Sequence, residues 1–352
     1  MRAAPASDSP RSHPRAHAAA AALLACAPLV AGCRGALDQS VLEPAGPLAR
    51  RVEHLWWFAF WVSTAVYVLT VGALIWAAWR ARRRARAGEP PPPDGERRMT
   101  RTVSMAVGAT VLILLVFLGY DLSVGRTLSP VPSAHPITIE VVGRQWWWEV
   151  HYADTSAHGR FTTANEIHVP VGQPVLFTLA AQDVIHSLWV PNLAGKKDAI
   201  PGYTQTFWFQ ADTAGVYRGQ CAEFCGAQHA KMALYVVADP PERYAQWVRQ
   251  QRQPAPSPAD SATRRGQEVF LTGPCVMCHA IEGTSAGSRA GPNLTHLASR
   301  MTIAAGTLPN TRGNLAGWIV DPQRIKPGTK MPSHMLAPSD LDALLTYLQS
   351  LK

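Results

Sequence analysis

The sequence predicts a multidomain membrane protein: a two-helix transmembrane hairpin, then an all-β domain, then a small all-α domain. Three observations carry this. Two uncharged apolar runs lie in the first 121 residues, and each is long enough to cross a bilayer. Residues 135–240 hold many short apolar runs punctuated by Gly and Pro, the pattern of a β-sandwich or Greek-key barrel. Residues 263–352 show helical apolar spacing around a Cys-x-x-Cys-His motif. A chain of 352 residues has room for two or more domains.

The N-terminal elements come first. Residues 18–31 form an Ala/Leu-rich run after Arg11 and Arg15, the pattern of a secretory signal. The run ends Val30-Ala31-Gly32-Cys33, which resembles a bacterial lipoprotein processing site. The expectation is a signal peptide over 1–32, a lipid on Cys33 and an outer N-terminal segment over 33–54. Leu55 to Trp79 gives 25 residues without a charge, with Trp56, Trp57, Trp76 and Trp79 near the ends, where aromatic belts form. A second span is expected over 102–121; its uncharged part, Thr102 to Tyr120, is 19 residues long.

The segment 80–101 between them holds eight arginines against Glu89, Asp94 and Glu96, a net +5, and includes Pro90 to Pro93. The positive-inside bias puts this loop in the cytoplasm, so both ends of the mature chain face outward. The formal charge of the whole chain is +9. Residues 1–32 carry a further +2, and only +2 remains for everything else. The chain therefore has no basic face for nucleic acid. Its charge reports membrane topology.

In the all-β region, Ile137, Ile139 and Val141 alternate with polar residues. Apolar runs follow at 145–152, 166–170, 174–179, 185–190, 205–210, 216–219 and 233–237. The six cysteines form three pairs: Cys26 and Cys33, Cys221 and Cys225, Cys275 and Cys278. No pair is left for a structural disulfide, which in an exported chain points to thiols committed to cofactors. The stretch Cys221-Ala-Glu-Phe-Cys225-Gly-Ala-Gln-His229-Ala-Lys-Met232 sets two thiolates, an imidazole and a thioether in one loop. Soft sulfur with imidazole selects copper, and the late methionine suits a weak ligand of an electron-transfer site. Two cysteines four apart can bridge two metal ions. A Cys221–Cys225 disulfide or a structural zinc leaves Met232 unexplained. A copper pair needs a second imidazole, and spacing alone does not choose among His135, His151, His158, His168 and His186. Trp146, Trp147 and Trp148 are consecutive, so in a strand they cannot share one face.

Residues 252–262 include Pro254-Ala-Pro-Ser-Pro-Ala-Asp-Ser-Ala262, a semi-rigid linker. Cys275-Val-Met-Cys278-His279 is the c-type haem attachment pattern: both thiols add to haem vinyl groups and His279 ligates the iron. A short helix is expected from Thr263 to Leu271, carrying Gly266 and Phe270. A last helix begins after Pro338, with Ser339 and Asp342 spaced as a capping box. Leu341, Leu344, Leu345 and Leu348 share one of its faces. The Pro292 carbonyl is expected to accept from the free ring nitrogen of His279. The sixth iron ligand lies among Met301, Met331, Met335, His296 and His334.

Four local motifs and the haem motif together carry a resemblance. They are Gly143-Arg-Gln-Trp146-Trp-Trp148-Glu, Val184-Ile-His186-Ser-Leu-Trp-Val-Pro191, Lys197-Asp-Ala-Ile-Pro-Gly202 and the stretch from Gly219 to Met232. Over nearly all of its mature length the chain resembles subunit II of haem–copper cytochrome c oxidases, in the caa3-type variant with a fused cytochrome c. The resemblance implies a cupredoxin-like domain over 135–240 and a cytochrome c domain over 263–352. It implies a dicopper CuA centre bridged by Cys221 and Cys225 and capped by His186 and His229. Met232 and the Glu223 carbonyl are its weak axial ligands, and the Glu223 carboxylate reaches a Mg²⁺ or Mn²⁺ ion at subunit I. Trp146 is the ring at which electrons enter. Met331, in Gly328-Thr-Lys-Met331-Pro332, is the sixth iron ligand, and Met/His ligation raises the haem potential.

The implied function is that of a cytochrome-c oxidase subunit in the bacterial inner membrane, multi-pass, with both cofactor domains periplasmic. Electrons arrive from an external cytochrome c or a bc1-type complex. They pass from haem c to CuA and on to haem a and the haem a3–CuB site of subunit I, where O2 reduction to water drives proton pumping; subunit III is a further partner. Two spans without a histidine cannot hold the oxygen site. Nitrous-oxide reductase would need a histidine-rich second cluster, and a stand-alone electron carrier would not need the hairpin. One feature departs from the family. Where a glutamate often opens the second span, this chain reads Arg97-Arg-Met-Thr-Arg-Thr102, so no proton-path residue is assigned.

Overall fold

The computed structural model describes residues 39–90, 94–128, 131, 133, 136–153 and 159–352. The expected signal segment, Cys33, His135 and His158 lie outside the described residues.

Two long helices come first, α1 (Pro47–Arg86) and α2 (Gly95–Leu128). Both outrun the uncharged segments, and both are long and apolar enough to cross a membrane. Pro47 stands in the first turn of α1, where its missing N–H costs nothing. At the other end Arg83 lies over Trp79 at 4.3 Å and Arg80 over Trp76 at 5.5 Å, so the charged tips hold ring faces as the helix leaves its apolar stretch. The helices touch through Phe58, stacked on Phe117 at 5.8 Å and edge-on to Tyr120 at 5.1 Å. No α2 residue is buried among the described residues, as suits a surface that meets lipid or other subunits.

The hairpin is seated on the β-domain at its base. The Ala45 N–H donates to the Asn192 carbonyl at 2.7 Å, and Arg50 pairs with Asp212 at 2.6 Å. A Cβ on Gly46 would lie 2.2 Å from the Gln210 carbonyl oxygen, so only glycine permits this approach. From α2, the Leu128 carbonyl accepts from Trp208 Nε1 at 3.1 Å.

The β-domain is a sandwich of two five-stranded sheets. One has the order β3-β2-β1-β5-β8, built from β1 (Ile137–Arg144), β2 (Trp147–Ala153), β3 (Phe161–Ala164), β5 (Val175–Ala181) and β8 (Gln205–Phe209). The other has the order β4-β10-β9-β6-β7, built from β4 (Glu166–Pro170), β6 (His186–Trp189), β7 (Lys197–Ala199), β9 (Gly215–Cys221) and β10 (Ala233–Asp239). Strand β5 alternates buried and half-buried residues along its whole length, so Val175, Phe177 and Leu179 face the core. Ile139, Val141, Trp148, Ile167, Leu188 and Leu234 fill the rest of the interior.

Three elements between residues 135 and 251 escaped the sequence pattern. Strands β3 and β7 are short and polar, and the ladder rather than apolar period holds them. Helix α3 (Pro241–Gln251) packs on the core through Tyr244 and Trp247, and Trp247 stacks on His168 at 4.1 Å.

The C-terminal domain is helical, with α4 (Ser261–Thr272), α5 (Arg312–Val320), α6 (Pro322–Ile325) and α7 (Pro338–Ser350). A two-residue-per-strand hairpin joins β11 (Thr302–Ile303) to β12 (Leu308–Pro309). Helices α4 and α7 cross at Gly266, where an added Cβ would lie 2.0 Å from the Ala343 carbonyl oxygen. Phe270, Leu344, Tyr347 and Leu348 pack around the crossing. The capping box expected at Ser339 and Asp342 does not form. Pro338 takes the first helical position, which puts Ser339 inside the first turn, and Asp342 instead accepts from Arg312 at 2.6 Å. A capping box does form on α4: Asp260 accepts from the Thr263 N–H at 2.8 Å, and the Thr263 hydroxyl accepts from the Asp260 N–H at 3.1 Å.

Candidate metal centre

Strand pairing brings the copper-type donors together. Strand β9 ends on Cys221 and β10 begins after Met232, and the Cys221 N–H donates to the Met232 carbonyl at 2.9 Å, closing the loop at its neck. Strand β6 lies beside β9, with Leu188 opposite Cys221, so His186 reaches the same end of the sheet. The two sulfurs, Cys221 Sγ and Cys225 Sγ, are 3.7 Å apart, and both cysteines are free. His186 Nδ1 is 3.8 Å from Cys221 Sγ, and His229 Nδ1 is 3.6 Å from Cys225 Sγ. Met232 Sδ lies 3.8 Å from Cys225 Sγ, and the Glu223 carbonyl oxygen lies 3.2 Å from Cys221 Sγ. Each sulfur thus faces one imidazole.

Electrostatics fit this donor set to a metal. The hydrogen bond from Cys225 holds the Cys221 thiol far below its ordinary range, and the same contact, with burial, pushes Cys225 up. One thiolate is favoured and the second is opposed by the first. A bound cation removes that opposition. His186 is fully buried, and its Nε2 stands 2.8 Å from Asp183 Oδ1. Burial pushes Asp183 up, yet hydrogen bonds from His186 and from the Gln145 and Val184 amides hold it below the usual carboxylate range. An ionised Asp183 keeps the proton on Nε2 and leaves the Nδ1 lone pair for the sulfur side. A Cβ on Gly143 would lie 2.7 Å from the His186 ring, so the motif's glycine makes room for the imidazole.

The other described candidates for the second imidazole, His151 and His168, are engaged elsewhere. His151 Nδ1 faces Thr162 Oγ1 at 2.9 Å, and His168 lies between Asp239 at 2.7 Å and Glu166 at 3.1 Å. The three tryptophans part company. Trp146 Nε1 donates to the Cys225 carbonyl at 2.9 Å; Trp147 lies by Arg144 at 5.5 Å; Trp148 is buried edge-on to His186 at 5.9 Å. The Glu223 side chain is exposed at the loop tip beside exposed Phe224.

In the C-terminal domain, Cys275 lies in a 3₁₀ turn (Pro274–Met277) that Cys278 caps, and His279 Nδ1 lies 2.8 Å from the Pro292 carbonyl oxygen. A carbonyl only accepts, so Nδ1 carries the proton and Nε2 keeps its lone pair for iron. Burial holds the ring's pKa below its ordinary value, helped by the charges of Arg300 and His334. Met331 packs half-buried against the domain core, whereas Met335 is fully exposed. His296 points its two ring nitrogens at the Lys352 and Gln253 carbonyls, at 2.9 and 3.1 Å. Arg300 is buried and its pKa is pushed down to about 10 by that burial. Its Nε has no hydrogen-bond partner among the described residues. An anionic haem substituent would satisfy it, so the residues fit the group.

Comparison with known proteins decides the family. Residues 155–239 match the model of the cytochrome c oxidase subunit II periplasmic domain, and residues 263–352 match that of cytochrome c. Cytochrome c oxidase subunit 2 of Alkalihalophilus pseudofirmus is 34% identical over 333 residues, spanning 91% of this chain and 93% of that one. The chain belongs to the cytochrome c oxidase subunit 2 family. Its counterpart in Bacillus subtilis is 30% identical over 351 residues, spanning 94% and 96% of the two chains. The solved periplasmic domain of subunit II of cytochrome oxidase from Bradyrhizobium japonicum is 33% identical, covers 35% of this chain and 97% of that one, and gives a TM-score of 0.33. This subunit II is therefore part of the cytochrome-c oxidase complex, carries the fused caa3-type arrangement, is anchored by its apolar helices and works with other oxidase subunits. Its two matched domains imply copper and haem c.

Two residues of subunit II that the sequence did not single out bear on these sites. Asp183 had a signal: a carboxylate three residues before a buried histidine. Lys326 had none. Burial, aided by the charge of Lys231, pushes its pKa down to about 7. Three carbonyl oxygens around its Nζ act the other way, because only the ammonium form can donate to all of them.

Proposed function

We propose that this subunit accepts electrons at a covalent haem c and relays them through a dinuclear copper CuA centre to subunit I of a caa3-type oxidase. When bound, the two metal groups supply reversible one-electron chemistry, and the protein supplies orientation and electrostatics. Cys275 and Cys278 would hold the haem covalently, and His279 and Met331 would hold its iron. The Cys221 and Cys225 thiolates and the His186 and His229 imidazoles would hold the copper pair, with Met232 and the Glu223 carbonyl as weaker donors. Asp183 fixes the His186 tautomer. The Pro292 carbonyl does the same for His279. Trp146, buried where the haem domain meets the copper loop and bonded to the Cys225 carbonyl, is the ring at which electrons enter the copper loop. The exposed Glu223 carboxylate would reach a Mg²⁺ or Mn²⁺ ion at subunit I.

The segment between the spans is cytoplasmic in this reading, and the copper and haem domains are periplasmic. The external donor is a cytochrome c or a bc1-type complex. Electrons leave for haem a and the haem a3–CuB site of subunit I, where reduction of O2 to water is coupled to proton pumping, with subunit III as a further partner. The domain limits read from the sequence, the signal peptide over 1–32 and a lipid on Cys33 belong to the same proposal.

The observation that carries this reading is the convergence of His186, Cys221, Cys225, His229 and Met232 on one end of the sandwich. Metal and haem analysis of the purified full chain tests it. Two coppers with a mixed-valence spectrum and one covalent haem are expected, with haem a-containing subunit I co-purifying. One copper, or a zinc in its place, would overturn it.

A further inference from the structure

A lysine that belongs to neither ligand set lies where the haem domain meets the copper loop. Lys326 is 2% exposed, and its Nζ donates to the carbonyls of Trp146 at 2.9 Å, Lys231 at 2.8 Å and Ala304 at 3.2 Å. An ammonium has three N–H groups, and these oxygens take all of them. The three carbonyls come from three segments. Trp146 lies between β1 and β2, Lys231 directly precedes Met232, and Ala304 sits at the tip of the β11–β12 hairpin.

The surrounding bonds converge on the same contact. Gln228 Nε2 donates to the Pro327 carbonyl at 2.7 Å, and the Lys231 ammonium donates to the Ile325 carbonyl. The copper loop thus clasps the strap on both sides of Lys326, and that strap runs on into Met331. The Ala233 N–H donates to the Ala305 carbonyl at 3.0 Å, and the Met301 N–H to Glu166 Oε2 at 3.0 Å. The hairpin tip is bent to make this contact. Ala304, Ala305 and Gly306 have φ of 54°, 57° and 72°, and two alanines in the left-handed region persist only where their surroundings hold them. A Cβ on Gly306 would lie 2.8 Å from the Ala233 Cβ.

We propose that Lys326 is a positioning residue that locks the haem domain onto the copper loop in one pose, so that the two sites exchange electrons across a fixed contact. This rests on the electron-relay reading above. The alternative is a tethered search on the proline-rich linker, and such a search needs an exposed, reversible polar surface. A desolvated ammonium caged by carbonyls from both domains is the opposite of that surface. The step it serves moves one electron from reduced haem to oxidised copper. Lys326 makes and breaks no covalent bond in it.

The test uses the full chain, loaded with copper and haem, with a protease site inserted after Ser257. Two readouts are taken: retention of the haem domain after cutting, and the viscosity dependence of haem-to-copper electron transfer after flash reduction. The parent is expected to keep its haem domain and to transfer at a viscosity-independent rate. Lys326→Met is expected to keep both cofactor spectra, to release the haem domain on cutting, and to transfer about tenfold or more slowly with viscosity dependence, as the competent pose becomes a minor population. Retention and an unchanged rate in Lys326→Met would overturn the proposal. If Lys326→Met fails to take up haem, Lys326→Gln, which keeps two N–H donors, is judged by the same two readouts. Absence of copper or haem from the parent would refute the relay reading instead, and the cutting assay would still judge the lock.

Discussion

The copper loop and the haem-attachment segment assemble their ligand sets by different routes. In the copper loop the β-ladder places the donors. Cys221 pairs opposite Leu188, Met232 closes the neck, and His186 starts the adjacent strand. Its proton partner Asp183 is already bonded at 2.8 Å. In the C-terminal domain the protein alone leaves work undone. His279 is oriented by Pro292, but Met331 rides on a strap, and buried Arg300 keeps an N–H without a partner among the described residues. In the relay reading, one site is framed by the protein before metal arrives, and the other would be finished by its cofactor.

The largest expected effect breaks that contrast at its root. In Cys275→Ala/Cys278→Ala the haem is not attached, Arg300 stays uncompensated, and the C-terminal helices are expected to lose cooperative unfolding while copper loading survives. Circular dichroism melts with copper analysis read both halves. Loss of copper together with haem would show that the copper loop is not framed independently. In the converse, Cys225→Ser removes one bridging sulfur and is expected to abolish the copper pair while the covalent haem band stays at full strength.

A smaller effect sharpens the comparison. Asp183→Asn keeps the shape but no longer fixes the proton on His186 Nε2. The expected cost is about 10- to 100-fold in copper affinity, the usual range for such partners. Competition with a copper chelator measures it, and an affinity within twofold of the parent, about 0.4 kcal/mol, would remove Asp183 from the account. Gly143→Ala tests the same imidazole by sterics, since its Cβ would lie 2.7 Å from the ring. Overpacking of this kind costs about 1–3 kcal/mol, to be read as a lowered unfolding temperature of the copper domain.

The same contrast explains what the sequence disclosed. Both candidate ligand loops were legible because their donors lie close together in the chain: Cys221 to Met232, and Cys275 to His279. The partner ring was not legible from spacing, since β-pairing brings His186 to Cys221 across 35 positions and five histidines were equal candidates; only the resemblance singled out His186. Strands β3 and β7 were missed because the ladder holds them without an apolar period. The capping box was placed on the wrong helix, because Pro338 claimed the first position of α7 and left Ser339 inside it. Lys326 was invisible: a lysine before a proline reads as surface until three backbone carbonyls from separate segments surround it.

The smallest predicted effect concerns the wall between these regions. Glu149 is buried and pairs with Arg144 at 2.7 Å, with His151 at 3.6 Å. Burial pushes its pKa up, but the hydrogen bonds and charges of His151 and Arg144 outweigh that and leave it below the ordinary value. A carboxyl held low in the fold stabilises it fully above the unfolded value of about 4.3. That contribution is lost as pH falls through the lower folded value. The unfolding temperature of the outer region is therefore expected to hold steady down to about pH 5 and then to fall, a tenfold difference in proton affinity between folded and unfolded chain being worth about 1.4 kcal/mol. Arg144→Met removes the larger charge and leaves burial less opposed, so the folded value rises toward the unfolded one and the acid-side fall should become smaller. Coincident pH profiles for the parent and Arg144→Met would mean that this pair contributes nothing to the wall on which Trp146 and the His186 cradle are built.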